Sequence, residues 1–302
     1  MNIFIAGGSG AIGRPLIAEL AGRGHRVTAI SRSDSGKRTL SGLGADVVDV
    51  NIFDEGALAD ALHKSRAEVV IDELTSLPKD PNDMPSAAPA DRKLRLDGGG
   101  CLHRASMGVG VARYIQQLSG FFLDGGLGLA DESSPLATGA SPGVAASAQT
   151  YAALEARLAR SGRMETVGLR YGFFYGPGTW YSPDGACAEH VRRRQRAIIG
   201  KGQGVWSWIH IDDAALATAE AVSIPAGIYV IVDDDPSPVS RWLPAFARFV
   251  GADPPPTITV EDARSVLGED AVYYGIKLSG ASSAKAMRTF NFRPRRLEWL
   301  AA

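Results

Sequence analysis

Charge imbalance is the first thing this sequence lacks. Over 302 residues the formal net charge is -1, which provides neither the basic surface that nucleic acid requires nor the cationic patch that an anionic membrane attracts. Cysteine is scarce. Cys101 and Cys187 stand far apart, so there is no disulfide framework and no paired-ligand spacing for a metal. A reduced, cytoplasmic compartment is the simplest reading. No apolar run is long enough to cross a bilayer, and Met1-Asn2 leads straight into a strand pattern rather than a signal peptide. What remains is an ordinary soluble composition, 45% hydrophobic and 22% charged, enough for a sizeable core without metal or disulfide staples. The length fits one large or two small domains. The expected partner is a small molecule, with no nucleic acid, membrane or metal, and a homodimer is left open.

The most telling stretch is Ile3–Gly13, Ile-Phe-Ile-Ala-Gly-Gly-Ser-Gly-Ala-Ile-Gly. An apolar run feeds a glycine-rich turn, and the turn opens a helical pattern from Arg14. Gly8, Gly10 and Gly13 fit G-x-G-x-x-G, and Gly7, Gly10 and Gly13 fit G-x-x-G-x-x-G. Such spacing is weak alone, but its place between a strand and a helix points to a dinucleotide diphosphate on a helix N-terminus. Glycine lets the backbone come close to the phosphates.

Strand and helix patterns then alternate. Strands are expected at Ile3–Ala6, Arg26–Ile30, Asp46–Val50, Glu68–Asp72, Ala112–Leu118 and Glu165–Arg170. Helices are expected at Arg14–Arg23, Lys37–Leu43, Gly56–His63, around Cys101 and Leu102, and at Tyr151–Arg160. Leu77–Ala90 and Glu132–Ala148 read as loops. This alternation predicts a doubly wound parallel α/β sheet, a Rossmann fold. The cofactor domain is expected to cover residues 1–171, rejoined by about 207–233. A smaller C-terminal substrate domain takes 172–206 and 234–302, and Trp242–Val250 within it is expected to be helical.

Cofactor choice is read after the second strand, where an acid usually bonds the adenosine ribose of NAD. Ser31 and Arg32 stand there instead. Arg32 offers a planar fork to a 2′-phosphate, and Lys37 adds charge nearby. NADP(H) is the expected cofactor.

The chain resembles an extended or atypical short-chain dehydrogenase/reductase of the NAD-dependent epimerase/dehydratase type. The resemblance rests on Gly7–Gly13, Gly44–Asp54, Leu169–Gly178 (Leu-Arg-Tyr-Gly-Phe-Phe-Tyr-Gly-Pro-Gly) and Trp208–Ala215 (Trp-Ile-His-Ile-Asp-Asp-Ala-Ala), in family order. It implies cofactor contacts from Gly7, Ser9, Gly10, Ala11, Ile12, Gly13, Ser31 and Arg32. It also implies Asn51 and Ile52 near the adenine, Leu74 and Thr75 near the ribose, and Gly172 and Phe173 near the nicotinamide. Asp212 and Asp213 are implied to be structural.

The catalytic pattern departs from that family, which uses a Ser/Thr after the fifth strand and a Tyr-x-x-x-Lys. Ser119 is in place, but Glu155, not Lys, stands four residues after Tyr151. Counted back from Arg170, Tyr151 falls at the Lys position and Ser147 at the Tyr position. In progesterone 5β-reductase-like enzymes a Tyr four residues before a Glu is paired with a Lys just after strand five; Phe122 occupies that place here. Ser119 and Tyr151 are nonetheless the expected catalytic pair, with Tyr151 alternatively lining the pocket. Tyr171, Tyr175 and His210 are weaker candidates, and the run Arg192–Arg196 reads as a solvated face. Trp180, Tyr181, Trp206 and Trp208 suggest an aromatic wall. The family's sugar-nucleotide epimerases carry an Arg where Trp206 falls, which favours a smaller or more apolar substrate. The leading expectation is an NADP(H)-dependent oxidoreductase acting on a carbonyl, alcohol or activated alkene. The alternatives are an epimerase or dehydratase that retains NAD(P), and a non-catalytic NADP-binding sensor or scaffold.

Overall fold

The computed structural model describes residues 1–301. Strands β1 (Asn2–Ala6), β2 (Arg26–Ile30), β3 (Asp46–Val48), β4 (Val69–Asp72), β5 (Arg113–Ser119) and β6 (Glu165–Tyr171) alternate with helices. These are α1 (Gly13–Gly22), α2 (Asp34–Gly42), α3 (Glu55–Ser65), α4 (Met84–Lys93), α5 (Gly99–Gly108) and α6 (Pro142–Leu158). The second half adds β7 (Phe173–Tyr175), α7 (Ala186–Arg192), β8 (Ile198–Ile199), β9 (Val205–Trp206), β10 (Trp208–His210), α8 (Ile211–Glu220) and β11 (Gly227–Ile231). It ends with β12 (Ser237–Pro238), α9 (Val239–Phe249), β13 (Thr257–Ile258), α10 (Val260–Leu267), α11 (Glu269–Ile276), α12 (Ala284–Phe290) and α13 (Glu298–Ala301).

The main sheet has seven strands in the order β11-β6-β5-β4-β1-β2-β3, and every pairing is parallel. Parallel strands must be covered on both faces. Leu16, Ile17 and Leu20 of α1 and Ala214 and Ala217 of α8 cover one face. Leu58 and Leu62 of α3, Leu102 of α5 and Leu154 and Leu158 of α6 cover the other. The order of strands reverses between β1 and β4, and ligands in open α/β sheets bind in the crevice at such a point. A further apolar cluster, with Tyr175, Trp208, Trp242, Phe246 and Trp299, lies in the second half. Ala286 and Phe292, from the last segment, pack into the cluster of the first sheet face.

Two expected loops are helical in part. Within Leu77–Ala90, a 3-10 turn (Pro81–Asp83) leads into α4. Pro81 and Pro85 sit in first-turn positions, where proline's fixed φ helps rather than harms, while Pro89 lies inside α4; the Asp80 carboxylate accepts from Asn82 N at 2.8 Å. Within Glu132–Ala148, α6 already begins at Pro142. Its cap is remote: Asp270 of α11 accepts from Gly143 N at 3.0 Å and Val144 N at 3.4 Å. A cap more than a hundred residues away leaves no local signal.

Among the described residues no helix is long and apolar enough to cross a membrane.

Candidate active site

The glycine loop follows β1 at the switch point. Gly7 has φ +91°, and a Cβ there would run into the Glu73 carbonyl. A Cβ on Gly13 would sit 2.5 Å from Gly8 O and 2.6 Å from Gly7 O. The turn is closed by Gly10 N donating to Gly7 O at 3.0 Å. Arg14 Nε donates to Ser9 O at 3.0 Å. Ser9 and Gly10 are exposed at the tip, Ala11 is half-buried, and Ile12 is buried. No side chain caps α1 and no acid lies in its first turn. Arg14 N and Leu16 N are taken by Gly10 O and Ile12 O, and Pro15 has no N–H, so the amides left to meet an anion, without a partner among the described residues, are those of Ala11, Ile12 and Gly13. This backbone cradle fits a dinucleotide diphosphate.

After β2, Ser31 is buried with its Oγ donating to Ser33 O at 3.3 Å, and Ser33 caps α2. Arg32 is exposed and forms no salt bridge or side-chain hydrogen bond among the described residues. Lys37 is different, because its ammonium is engaged by Asp49 at 2.7 Å. Asn51 is exposed and its Oδ1 accepts from Phe53 N. Ile52 is buried beside Gly98. Leu74 N donates to the Asp72 carboxylate at 3.1 Å, and Thr75 is half-buried next to it. Gly172 lies where a Cβ would meet Ser207 O at 2.5 Å.

Glu73 and its partners lie directly under the loop. The Glu73 carboxyl accepts from the Tyr171 hydroxyl at 3.3 Å, and that hydroxyl also bonds Thr218 at 2.5 Å. Its second oxygen, Oε2, is buried without a partner. Burial, reinforced by the neighbouring Asp72, pushes Glu73 up to about 8, so it is neutral at pH 7.

The other end of the site is made of side chains. Ser119 ends β5, buried, with its Oγ accepting from Phe121 N at 3.4 Å. Tyr151 lies on α6, and no hydrogen bond among the described residues joins it to Ser119. The Tyr151 ring stacks on Phe122 at 5.7 Å, Phe122 contacts Phe121 at 4.5 Å, Phe121 stacks on Phe173 at 4.1 Å, and Phe173 stacks on Trp206 at 3.9 Å. A continuous aromatic row thus runs from α6 across the carboxyl ends of β5 and β6 to β9. Tyr274 leans on its far end, 5.9 Å from Trp206.

Glu155 does not face this row. It forms a two-point pair with Arg170 at 2.8 and 2.9 Å. The carboxylate that acts on Tyr151 is Asp91 instead. Burial raises the Tyr151 phenol, Arg95 opposes that, and Asp91 adds to it. Tyr151 is therefore a protonated donor at neutral pH. The Arg95 guanidinium carbon lies 5.4 Å from the centre of the Tyr151 ring. Arg95 sits in a π-helical turn, Leu94–Gly98, between α4 and α5. Its Nε donates to Asp91 at 2.7 Å, and Asp91 also accepts from Ser76 N at 2.6 Å. Arg157 of α6 donates to the carbonyls of Arg95 and Leu96, at 3.2 and 3.3 Å. Turns of this kind inside helices often mark functional sites.

Arg95, Asp91 and Glu73 belong to no motif that the sequence displays. The Asp91–Arg95 spacing of i, i+4 and the run Gly98-Gly99-Gly100 were the available signals. The remaining candidates have structural partners. His210 caps α8 through Asp212 N at 3.1 Å and is held neutral by burial and by Arg295. Asp213 takes a fork from Arg295. Tyr175 donates to Arg296 O. Trp208 is fully buried core rather than pocket wall. In the arginine run, Arg193 pairs with Glu189 at 2.6 Å and Arg196 bonds His190 at 3.2 Å. A surface cavity of about 550 Å³ lies between Leu136–Ser141 and α11, lined by Asp124, Glu269, Tyr273 and Lys277. It includes no residue of the glycine loop or the aromatic row, so it is not the hydride site.

A doubly wound sheet with a glycine cradle at its switch point and a row of aromatic rings beside it is the architecture of an extended short-chain dehydrogenase/reductase. The chain belongs to the NAD dependent epimerase/dehydratase family, whose model matches residues 3–89. It is 35% identical, over 99% of its length and 98% of the relative's, to a 3-diazoavenalumate denitrifying reductase from Streptomyces sp.. Its fold matches the UDP-glucose 4-epimerase of Thermus thermophilus in complex with NAD, with a TM-score of 0.76 and 22% identity over 99% of this chain and 96% of that one. It also matches the dTDP-glucose 4,6-dehydratase DesIV from Streptomyces venezuelae with NAD bound, with a TM-score of 0.76 and 18% identity over 99% and 93% of the two chains. The chain is thus an enzyme of the oxidoreductase/epimerase type that uses a nicotinamide dinucleotide.

Proposed function

We propose that this enzyme is an NADPH-dependent reductase of a flat aromatic acceptor, and that the acceptor carries a diazo group. The aromatic row carries the reading: rings offer a planar, apolar seat for an arene and little for a sugar. The relative that matches almost the whole chain is named as a reductase of a diazo compound. Gly7, Ser9, Gly10, Ala11, Ile12 and Gly13 would hold the diphosphate. Ser31 and Arg32 would take the 2′-phosphate, Asn51 and Ile52 the adenine, Leu74 and Thr75 the ribose, and Gly172 and Phe173 the nicotinamide side. When bound, the reduced nicotinamide supplies hydride, and at a diazonium-bearing ring carbon the balanced change is Ar–N2⁺ plus hydride giving Ar–H plus N2.

This reaction removes the need for the missing lysine. A carbonyl acceptor develops an oxyanion that must be protonated. A diazonium carbon develops none, because the electrons leave with N2. A neutral, half-buried Tyr151 beside apolar Phe122 suits the second case better. The chain's task is then to seat the arene, exclude water with the rings and hold the polar groups still.

A second reading keeps Ser119 and Tyr151 as the pair that polarises a carbonyl or activated alkene, since Tyr151 remains a protonated donor. One experiment separates the two. An arenediazonium salt is incubated with the enzyme and NADPH deuterated at C4 on either face. Diazo reduction gives one N2 per NADPH and deuterium on the carbon that lost nitrogen, and Tyr151→Phe retains most of the rate. If N2 is not released, yet enones or aldehydes are reduced and Tyr151→Phe removes that activity, the second reading stands. If no acceptor is reduced while cofactor binding is intact, both fail.

A further inference from the structure

Two arginines are deeply buried, and they differ in how fully they are used. Arg170 places Nε and Nη2 on the two oxygens of Glu155 and Nη1 on the Glu132 carbonyl at 3.2 Å. Arg95 is as buried, with 5% of its side chain exposed. Only its Nε has a short bond, to Asp91 at 2.7 Å. Its Nη1 reaches Gln117 Oε1 at a long 3.4 Å, and Nη2 has no hydrogen-bond partner among the described residues. A guanidinium carries five N–H donors in a fixed fork. Nη2 is not sealed off without a partner, so the unused edge of this otherwise buried guanidinium is the part left open, where a ligand can take up the spare donors.

The position says what completes it. Arg95 stands at the α6 end of the aromatic row, over the Tyr151 ring. Asp91 holds one edge of the fork and ties it to Ser76, in the loop after β4. The π-helical turn that carries Arg95 is braced by Arg157, whose Nη1 donates to the Arg95 and Leu96 carbonyls. The fork is therefore set before any ligand arrives. A single cation at one end of a planar apolar seat matches a planar molecule with an anionic end.

We propose that Arg95 is a substrate-binding residue: its free Nη edge receives an anionic oxygen of an aromatic substrate whose ring lies along Tyr151, Phe122, Phe121 and Phe173. The inference rests on the aromatic-acceptor reading above and names its substrate class, an aromatic anion. Asp91 and Arg95 form a formally neutral pair with the Asp91 oxygens turned to Arg95 Nε and Ser76 N, so the anion is recognised by the directed Nη donors rather than by net charge. Arg95 acts on affinity and orientation, and the chemistry belongs to the cofactor and the acceptor carbon.

The test measures binding rather than turnover, so its failure is separable from failure of the proposed reaction. Full-length enzyme loaded with oxidised cofactor is titrated, by tryptophan fluorescence or calorimetry, with trans-cinnamate and with its neutral counterpart cinnamamide. Wild type is expected to bind cinnamate at least about tenfold more tightly than cinnamamide. R95M should lose that preference while its cofactor affinity changes less than about threefold, and R95K should recover part of it. Removing one partner of a buried pair can unfold the chain, so D91N/R95M, which removes both charges, serves where R95M does not fold. The inference is overturned if wild type shows no preference for cinnamate or binds neither probe. It is also overturned if the folded variant keeps the preference, or if cofactor affinity falls in place of it. Persistence of the preference in an enzyme that reduces no diazo arene would remove the proposed reaction and leave Arg95 as an anion site.

Discussion

The two ends of the active site are built from different material. The end at β1 is backbone: glycines without side chains, the amides of Ala11–Gly13 and the carbonyls that the glycines approach. The end at α6 is side chains gathered from separate stretches, with Arg95 and Asp91 before β5, Phe121 and Phe122 after it, Tyr151 on α6, and Phe173 and Trp206 beyond β6. A backbone-lined cradle is damaged by adding atoms, whereas a cleft lined by side chains is damaged by taking them away. The first should tolerate little and fail through affinity. The second should fail through stability or through the fit of the substrate.

The largest effect is expected at a side-chain pair that lies off the aromatic row but ties α6, which carries Tyr151, to β6. Arg170→Met leaves the half-buried Glu155 carboxylate without its partner, and it frees the Glu132 carbonyl. Breaking such a pair costs about 4 kcal/mol, read as a lower urea midpoint at unchanged slope. A loss below about 1 kcal/mol would show that the pair is screened like a surface one, and the contrast between the two ends would weaken.

Next is the addition of one carbon at the backbone end. Gly13→Ala puts a Cβ 2.5 Å from Gly8 O, and neither backbone can withdraw without opening the turn. Overpacking of this kind costs about 3 kcal/mol at most, which corresponds to roughly a hundredfold in cofactor dissociation constant. Fluorescence titration with NADPH checks it. Affinity within about twofold of wild type would remove the glycine cradle from the cofactor site.

The same difference in material decides what could be read in advance. The loop Gly7–Gly13 is contiguous, and its chemistry follows from the absence of side chains, so a short window contains it. The parallel sheet was legible for a related reason: each strand and its following helix carry their own periodicity. Arg95 was not legible. Nothing near it in sequence says that a π-helical turn will swing its guanidinium over Tyr151, and the residue that fixes the turn, Arg157, lies on another helix. The start of α6 was hidden in the same way, since its cap is Asp270. Glu155 stands one helical turn after Tyr151, yet its carboxylate is taken by Arg170 on β6, a partner on another element that its place in the sequence does not show.

Glu73 sits where the two materials meet, under Gly7 and beside Tyr171, and its titration gives a third prediction. Its pKa is raised from the ordinary carboxylate range to about 8 in the folded chain. The folded form therefore keeps a proton that the unfolded chain has lost. That stabilisation is complete below the unfolded value and disappears as pH rises through about 8. Asp233 is raised to about 8 as well, so wild-type stability should fall with pH for both reasons. Glu73→Gln keeps a neutral group of the same shape and should remove the Glu73 share, about 2 kcal/mol between pH 6.5 and 8.5. His103 titrates near 4 and lies outside that window. Urea unfolding of the two proteins at both pH values measures the difference. Parallel pH profiles would mean that Glu73 is ionised and solvated, and that the floor of the loop is open to water.

The smallest expected effect is at Arg32, and it tests whether the backbone end also needs a side chain. The diphosphate cradle is indifferent to the 2′-phosphate, so discrimination between NADPH and NADH must come from the turn after β2. Lys37 contributes little there because Asp49 already holds it. Arg32 is exposed, so a pair with a phosphate is partly screened and worth about 1 kcal/mol. Arg32→Ala should then weaken NADPH by five- to tenfold, roughly, leave NADH unchanged, and lose most of its effect in molar salt. Equal weakening of both cofactors would place Arg32 on the adenine rather than the phosphate. An NADPH/NADH ratio near one in wild type would make the enzyme an NAD user, and the absent acid after β2 would then mean only that the ribose is held by the Ser31 hydroxyl and backbone.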